Sequence, residues 1–484
     1  MDIFTLSSLV VITISFILLW KKKSSSGFNL PPGPPSLPII GNLHQIIGKS
    51  LSHTIMNMSQ KYGPIILLHF GSQPFVVISS SKLATQAFQT HDNVLCNRPY
   101  SRNLKRLAFN YNDIVFSPYD DHYKHMRKTL VVDFLNSRMT KSFKKVLDSE
   151  LKRLIDSLPF DKEVHFDKMI SNFMVDYVCK IVAGKSYGDV TLGGKKLIDM
   201  LHEMAILFSG SFSEMFPSVG WVLEDLSGWT RRVDNHMTNF DALIGKMIDE
   251  HIDHTNADEK DLIDVCKSSL TREEMKAIMT NVFNGSVDTS YLTLVWVMSM
   301  LVKNPRVMHK LQAEIRSHSG KKPRLDETDT AKMMYLKNVI KETLRLHGPS
   351  PFLITRHCVE HIQIGGYDIL PGTNVLICSR GIAKDPTVWT ENVNEFYPER
   401  FENRVVDQFD MTPFGGGRRS CPGFNLATST LEVVVANLFN NIDWKPPNGM
   451  RNEDLDVEED EEGSLLVAKK TPLYLVPVKH NSQA

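Results

Sequence analysis

Residues 413–423, PFGGGRRSCPG, set Cys421 among four glycines, two arginines and two prolines. Glycine at 415, 416, 417 and 423 lets a backbone loop come close to something large and flat. The adjacent Arg418 and Arg419 favour the thiolate, the form of cysteine that ligates a metal or attacks an electrophile. The same stretch also suits a glycine-rich surface turn with an inert thiol, and by itself it does not choose between the two. A second constellation lies on a long apolar run, where Asn281, Asn284, Gly285, Asp288 and Thr289 keep near one helical face. A carboxylate beside a hydroxyl can hold water and pass protons to a reacting group. Taken alone, the stretch favours the plainer alternative, a set of satisfied core polar groups that fix helix packing. The third is Glu342, with Arg345 three residues on and Arg400 later, in YPERF. Tyr335, Val339, Glu342 and Leu346 form one stripe at core-facing spacing, so Glu342 points inward. A buried carboxylate needs a fixed cation, and two arginines on one glutamate make a structural lock.

These residues must be held by a large body. The chain has 484 residues, 42% of them hydrophobic, enough for an extensive core. Its 55 basic and 55 acidic residues cancel, so no overall field draws it to nucleic acid. Six cysteines without a C-x-x-C pair or regular spacing argue against a disulfide framework or a zinc ribbon and imply a reducing compartment. Residues 3–20 carry no charge, about the length that crosses a hydrocarbon core of roughly 30 Å. Lys21, Lys22 and Lys23 follow at once, which leaves the rest of the chain on the cytoplasmic side. In a cleaved signal peptide the cations would precede the apolar run. The expected organisation is therefore a membrane anchor over 1–23, a proline-rich hinge over 24–38 and a globular domain over 39–484. Within that domain residues 64–80 read as a hairpin turning at 71–74. A long central helix begins at Thr271, whose capping box uses Glu274, and ends before Pro305. NVLICS and LYLVPV read as strands, and the acidic run 453–462 as a solvated loop.

Taken together the motifs resemble the cytochrome P-450 family of haem-thiolate monooxygenases. FGGGRRSCPG fits F-x-x-G-x-R-x-C-x-G through Phe414, Gly417, Arg419, Cys421 and Gly423, ETLR fits E-x-x-R, and PERF follows. The hinge, KYGPI and FNNIDWKPPNGM look most like the plant microsomal A-type group. The resemblance implies a mainly α fold with a small β subdomain and a single N-terminal transmembrane anchor in the endoplasmic reticulum, the catalytic domain facing the cytosol. It implies haem b (iron protoporphyrin IX) with Cys421 as axial ligand, and Arg419, Arg356, Arg127, Tyr123, Phe414 and Gly423 as further haem contacts. Asp288 and Thr289 match the family's acid-alcohol pair. Glu342, Arg345 and Arg400 match its lock beneath the haem.

By matching place the substrate would meet Phe109, Phe116, Asn284, Gly285, Phe352, Leu353 and Leu465, a mostly apolar set suited to a terpenoid, alkaloid or phenolic scaffold. The implied partners are O2, membrane lipid and a flavoprotein NADPH-cytochrome reductase that passes on electrons from NADPH, with no nucleic acid. Two positions depart from the family pattern: Tyr123 stands where a tryptophan is usual, and Ser286 where a glycine is usual. Segments 253–274 and 402–410 are also shorter than the family's. Ser286 makes a haem-thiolate isomerase or dehydratase without a reductase the alternative within enzymes, and Tyr123 with the short segments makes a non-catalytic haem-binding protein the alternative outside them. The retained Asp288 and Thr289 argue against the isomerase.

Overall fold

The computed structural model describes residues 27–251, 260–320, 322–402, 404–460 and 465–480. The expected anchor lies outside them. Helices dominate, and seven of them position the site: α1 (Asp121–Lys128), α2 (Phe166–Ala183), α3 (Leu197–Leu207), α4 (Gly220–Ser227), α5 (Arg272–Lys303), α6 (Met334–His347) and α7 (Phe424–Asn440). The strands used here are β1 (Ile65–Phe70), β2 (Gln73–Ile78), β3 (Val164–His165), β4 (Arg356–His357), β5 (Asn374–Ile377), β6 (Ile442–Lys445) and β7 (Tyr474–Lys479).

Central to the fold is α5. The Thr271 hydroxyl accepts the Glu274 N–H at 3.4 Å, and the Glu274 carboxylate accepts the Thr271 N–H at 2.8 Å. This satisfies two of the N–H groups that a helix start leaves without partners. The helix then runs 32 residues to Lys303 and stops at Asn304, ahead of Pro305. Its apolar residues face every direction, so it can rest only where other helices surround it. It packs on α2, α3, α6 and α7, inside one continuous apolar core. By length and composition it could cross a membrane, yet most of it is buried within the protein.

One sheet has the order β1-β2-β5-β4, with β2 and β5 parallel and the other pairs antiparallel. The hairpin turn is tighter than the sequence suggests. Only Gly71, at φ 61°, and Ser72 lie between the strands, and Pro74 sits inside β2 opposite His69. Pro74 is tolerated because the pairing of β2 with β5 begins one residue later, at Phe75, so its missing N–H is not required. A second sheet has the order β6-β7-β3. NVLICS and LYLVPV supply β5 and β7 as expected.

The acidic run 453–462 is not wholly a solvated loop. Glu459 turns inward to pair with His347 and Arg380, each at 2.8 Å. Burial works against its charge, but the His347 bond and the Arg380 charge hold its carboxyl at about 2. Of the shortened segments, the first carries the helix Leu262–Cys266, capped by Asp261, and the second packs Phe409 against Phe88.

Candidate active site

A cavity of about 400 Å³ lies between α5, the α6–β4 connection, α1 and the loop leading into α7. Cys421, Asp288 and Thr289 all line it. A larger groove of about 1160 Å³, beside the hinge and the rim of the first sheet, contains none of these groups.

Cys421 is the single exposed member of the six cysteines, and what it is exposed to is this cavity. Its N–H donates to the Phe414 carbonyl at 2.9 Å, closing the loop upon itself. Phe414 stands edge-on to Phe424 at the start of α7. The glycines divide into two pairs. A side chain at Gly417 would lie 2.1 Å from a carboxylate oxygen of Asp92, and one at Gly416 would meet Phe409 and Phe88 at 2.7 and 2.9 Å. These two are required by the protein's own packing. Gly415 and Gly423 line the cavity and are the pair that leaves room for a ligand.

The expectation of a thiolate poised by Arg418 and Arg419 needs correction. Burial pushes the Cys421 thiol above its ordinary value, and the Gly423 N–H and the Arg127 charge only partly oppose it. Arg418 turns to Asp92, at 3.1 Å, and Arg419 to the carbonyls of Cys96, at 2.8 Å, and Ser117, at 2.5 Å. A coordinating metal, which deprotonates a thiol outright, would have to supply what these cations do not.

Four arginines reach the cavity: Arg98, Arg127, Arg356 and Arg419. Arg127 donates to the Ser420 carbonyl at 2.8 Å, and Arg356 to Asp92 at 2.8 Å and to the Gly416 carbonyl at 2.7 Å. Arg98 was not singled out in the sequence. It donates to the carbonyls of Val115, Ile354 and Thr355 at 2.6–2.9 Å. Among the described residues Arg98, Arg127 and Arg419 have carbonyl partners and no carboxylate. Burial, then the charges of Arg419 and Arg356, push the Arg98 guanidinium well below its usual value. This is an excess of positive charge on partly buried groups, and an anion would relieve it.

Tyr123 is buried, with Arg419 stacked 4.0 Å from its ring centroid. Its hydroxyl donates to the Arg418 carbonyl at 2.8 Å, so it braces the cysteine loop from α1 and is already committed.

On α5, Thr289 Oγ1 donates to the Gly285 carbonyl at 2.6 Å. Asp288 is buried, and its Oδ1 makes no hydrogen bond. Asn281 accepts the Ile114 N–H at 2.7 Å and donates to Asp113 at 3.2 Å, tying the 109–117 loop to the helix. Asn284 donates to the Thr280 carbonyl at 3.0 Å.

Of the residues expected to meet substrate, Phe116, Asn284, Gly285, Leu353 and Leu465 line the cavity. Phe109 and Phe352 do not, which corrects that expectation. Phe109 opens a left-handed stretch with Asn110 and Tyr111, at φ 49°, 59° and 64°, that turns it out of the wall. Phe352 packs with the cluster around Leu376 and Cys378 on the sheet. Ile114, Phe208 and Leu466 join the wall without having been marked in the sequence.

Glu342, Arg345 and Arg400 lie away from the cavity. Glu342 takes Arg345 on both oxygens, at 2.8 and 2.9 Å, and Arg400 and the Tyr397 N–H on Oε1, at 2.9 and 3.0 Å. Arg345 goes on to the carbonyls of Ala383 and Val393. The glutamate and Arg345 are fully buried.

A cysteine sulfur facing a mostly apolar cavity, with a surplus of guanidinium groups in the same wall, suits a ligand that bears a metal and negative charge. The cytochrome P450 family model matches residues 31–476, and the chain belongs to that family. It is a cytochrome P450 monooxygenase, and it shares 67% identity with eupatolide synthase of Helianthus annuus over 99% of this chain and 98% of that one. Parthenolide synthase of Tanacetum parthenium is 45% identical over 97% and 96% of the two chains, and 6,7,8-trihydroxycoumarin synthase of Pastinaca sativa 38% over 96% of each. The haem b that the family implies fits the site: Cys421 Sγ faces the cavity, and the uncompensated cations suit two propionates.

Proposed function

We propose a membrane-bound monooxygenase of specialised terpenoid metabolism that places one oxygen atom of O2 into a small, mostly apolar substrate, with electrons from NADPH through a flavoprotein reductase. The observation that carries this reading is the meeting of Cys421 and the Asp288–Thr289 pair on one cavity. Eupatolide synthase and parthenolide synthase, at 67% and 45% identity, stand above 6,7,8-trihydroxycoumarin synthase at 38%, which favours a terpenoid over an alkaloid or phenolic scaffold.

In this reading Cys421 Sγ would ligate the haem iron, and Arg98, Arg127, Arg356 and Arg419 would hold the propionates. Bound haem supplies the oxidation of an unactivated carbon. Phe116, Leu353 and Leu465 press on the substrate and exclude water. The Thr289 hydroxyl, now on the Gly285 carbonyl, turns its proton into the cavity when that bond is released, and Asp288 replaces it.

The membrane location rests on residues 1–23 as anchor and 24–38 as hinge. It gains support from an apolar face at 219–226, where Val219, Trp221, Leu223 and Leu226 are exposed. The Ser72 N–H donates to the Met215 carbonyl, so that segment joins the tip of the β1–β2 hairpin, next to exposed Ile39.

Co-expression with a plant reductase and a panel of terpenoids tests the reading. The expected result is a product that requires both NADPH and oxygen, from protein whose reduced carbon-monoxide complex has the red-shifted band of a thiolate ligand. Cys421→Ser should abolish that band. An unchanged band would overturn the ligand, and a product formed without NADPH would overturn the monooxygenase chemistry in favour of isomerisation or dehydration.

A further inference from the structure

Asp288 presents two problems that the cavity does not solve. It is a buried carboxylate whose Oδ1 has no hydrogen bond, and a residue that gives up protons must be resupplied from solvent. Both have the same neighbour. Nε2 of His202, on α3, lies 3.4 Å from that Oδ1. His202 is no part of the cavity wall, and its side chain is 45% exposed. It spans from bulk water to the back of Asp288. Tyr291, one turn beyond Asp288 on α5, brings its hydroxyl within 3.3 Å of the same Nε2. Burial, then the Asp288 charge, raise the Tyr291 phenol, so it keeps its proton and can only steer the ring.

We propose that His202 is the solvent-side proton donor that reloads Asp288. The protonated imidazole breaks its Nε2–H bond as Oδ1 of Asp288 gains the proton. A cation and a carboxylate become a neutral ring and a carboxylic acid, and the ring recovers its proton from water. His202 touches no reacting atom and works through Asp288. This rests on the reading above of Asp288 and Thr289 as the proton path.

The charge balance around His202 suits the task. Asp288 and Tyr291 face it from α5 and Asp199 from its own helix, and among the described residues Asp288 and Asp199 are the charges that act on it. Burial alone would lower its pKa. The close approach of Asp288 Oδ1, at 3.4 Å, and the charges of Asp288 and Asp199 more than reverse this and leave it above the ordinary 6.5. The donor form therefore persists up to that raised value and is lost as pH rises through it.

The competing view is that the pair only pins α3 to α5. In that case His202→Gln, which can hydrogen-bond but has no ionisable proton, would behave as wild type. The experiment measures product formed per NADPH consumed, from mildly acid to mildly alkaline pH, for the full chain and for His202→Gln and His202→Lys. Wild type should lose coupling as pH rises. The Gln variant should be severalfold less coupled and nearly flat with pH. The Lys variant should recover coupling and hold it to higher pH.

A second readout needs no turnover. In protein labelled with 13C-histidine, the His202 resonance, identified by its absence in His202→Gln, should titrate with a midpoint above 6.5 that drops in Asp288→Asn. Wild-type coupling and pH profile in His202→Gln, or a midpoint unmoved by Asp288→Asn, would overturn the proposal. The two readings fail differently. If wild type forms no NADPH-dependent product, the monooxygenase reading falls while the titration still judges the His202–Asp288 pair.

Discussion

Two clusters of buried and partly buried arginines stand in this molecule, and they differ in who answers their charge. In the lock, Arg345 and Arg400 share Glu342, and every remaining donor that the structure resolves reaches a backbone carbonyl. At the cavity, Arg98, Arg127, Arg356 and Arg419 have Asp92 on Arg356 alone, and Asp92 also serves Arg418. The buried Asp113 lies close by, but its oxygens are taken by the N–H groups of Val115, Phe116 and Ser117 and by Asn281. A buried cation whose charge a carboxylate answers in full belongs to the fold, whereas Arg356 shares Asp92 with Arg418 and is only partly answered. A partly buried cation held only by carbonyl dipoles is kept for an anion that arrives later, because the unanswered charge is otherwise a standing cost.

The sharpest way to break this comparison is to remove the lock's carboxylate. Glu342→Gln leaves two buried guanidinium groups without a counter-charge, and loss of one partner from a buried pair costs about 3–5 kcal/mol. Thermal unfolding should show that loss whether or not haem is present. If the variant is as stable as wild type, the lock is not a lock.

The cavity cluster should respond in the opposite way. Arg98→Gln gives up carbonyl bonds to Val115, Ile354 and Thr355, but it also relieves repulsion from Arg419 and Arg356. The haem-free protein should therefore unfold within about 1 kcal/mol of wild type, the scale of one net hydrogen bond. The holoprotein should lose haem to an acceptor protein roughly ten- to hundredfold faster, as expected for a bond of about 1.5–3 kcal/mol to a charged group. If Arg98→Gln instead destabilised the haem-free chain as much as Glu342→Gln does, Arg98 would belong with the structural cluster.

The lock and the cysteine loop were legible in the sequence because each depends on short-range spacing. Glu342 and Arg345 are three apart on one helix, and Cys421 sits inside its own glycine-rich turn. The long helix was legible too, since its cap and its all-round apolar surface are local properties. Arg98 was not, because the carbonyls that fix it at Ile354 and Thr355 are 256 and 257 residues further on. For the same reason the roles of Gly416 and Gly417 were misread: the groups they make room for, Phe88 and Asp92, come from more than three hundred residues earlier. Glu459 looked like part of a solvated acidic run until tertiary structure brought His347 and Arg380 to it. Phe109 and Phe352 have the apolar character of a pocket wall, but side-chain direction depends on backbone angles that the pattern does not carry.

The smallest expected effect puts the same question to a neutral group. Asn284 is on the cavity wall, where an amide could bond a polar atom of the substrate. Its Nδ2, however, already donates to the Thr280 carbonyl one turn back, so the protein answers its own donor as it does in the lock. That carbonyl also lies within the regular hydrogen-bond ladder of α5, and losing the side-chain bond leaves no buried group abandoned. Alanine moreover has the higher helix propensity, by a few tenths of a kcal/mol. Asn284→Ala should therefore shift unfolding by no more than about 0.5 kcal/mol, with substrate affinity within about twofold of wild type. The titration is of the haem spin-state change with the substrate that turns over. A loss of tenfold or more, about 1.4 kcal/mol, would mean that Oδ1 accepts a substrate hydrogen bond, and Asn284 would then stand with the cavity arginines as a group held ready for a ligand.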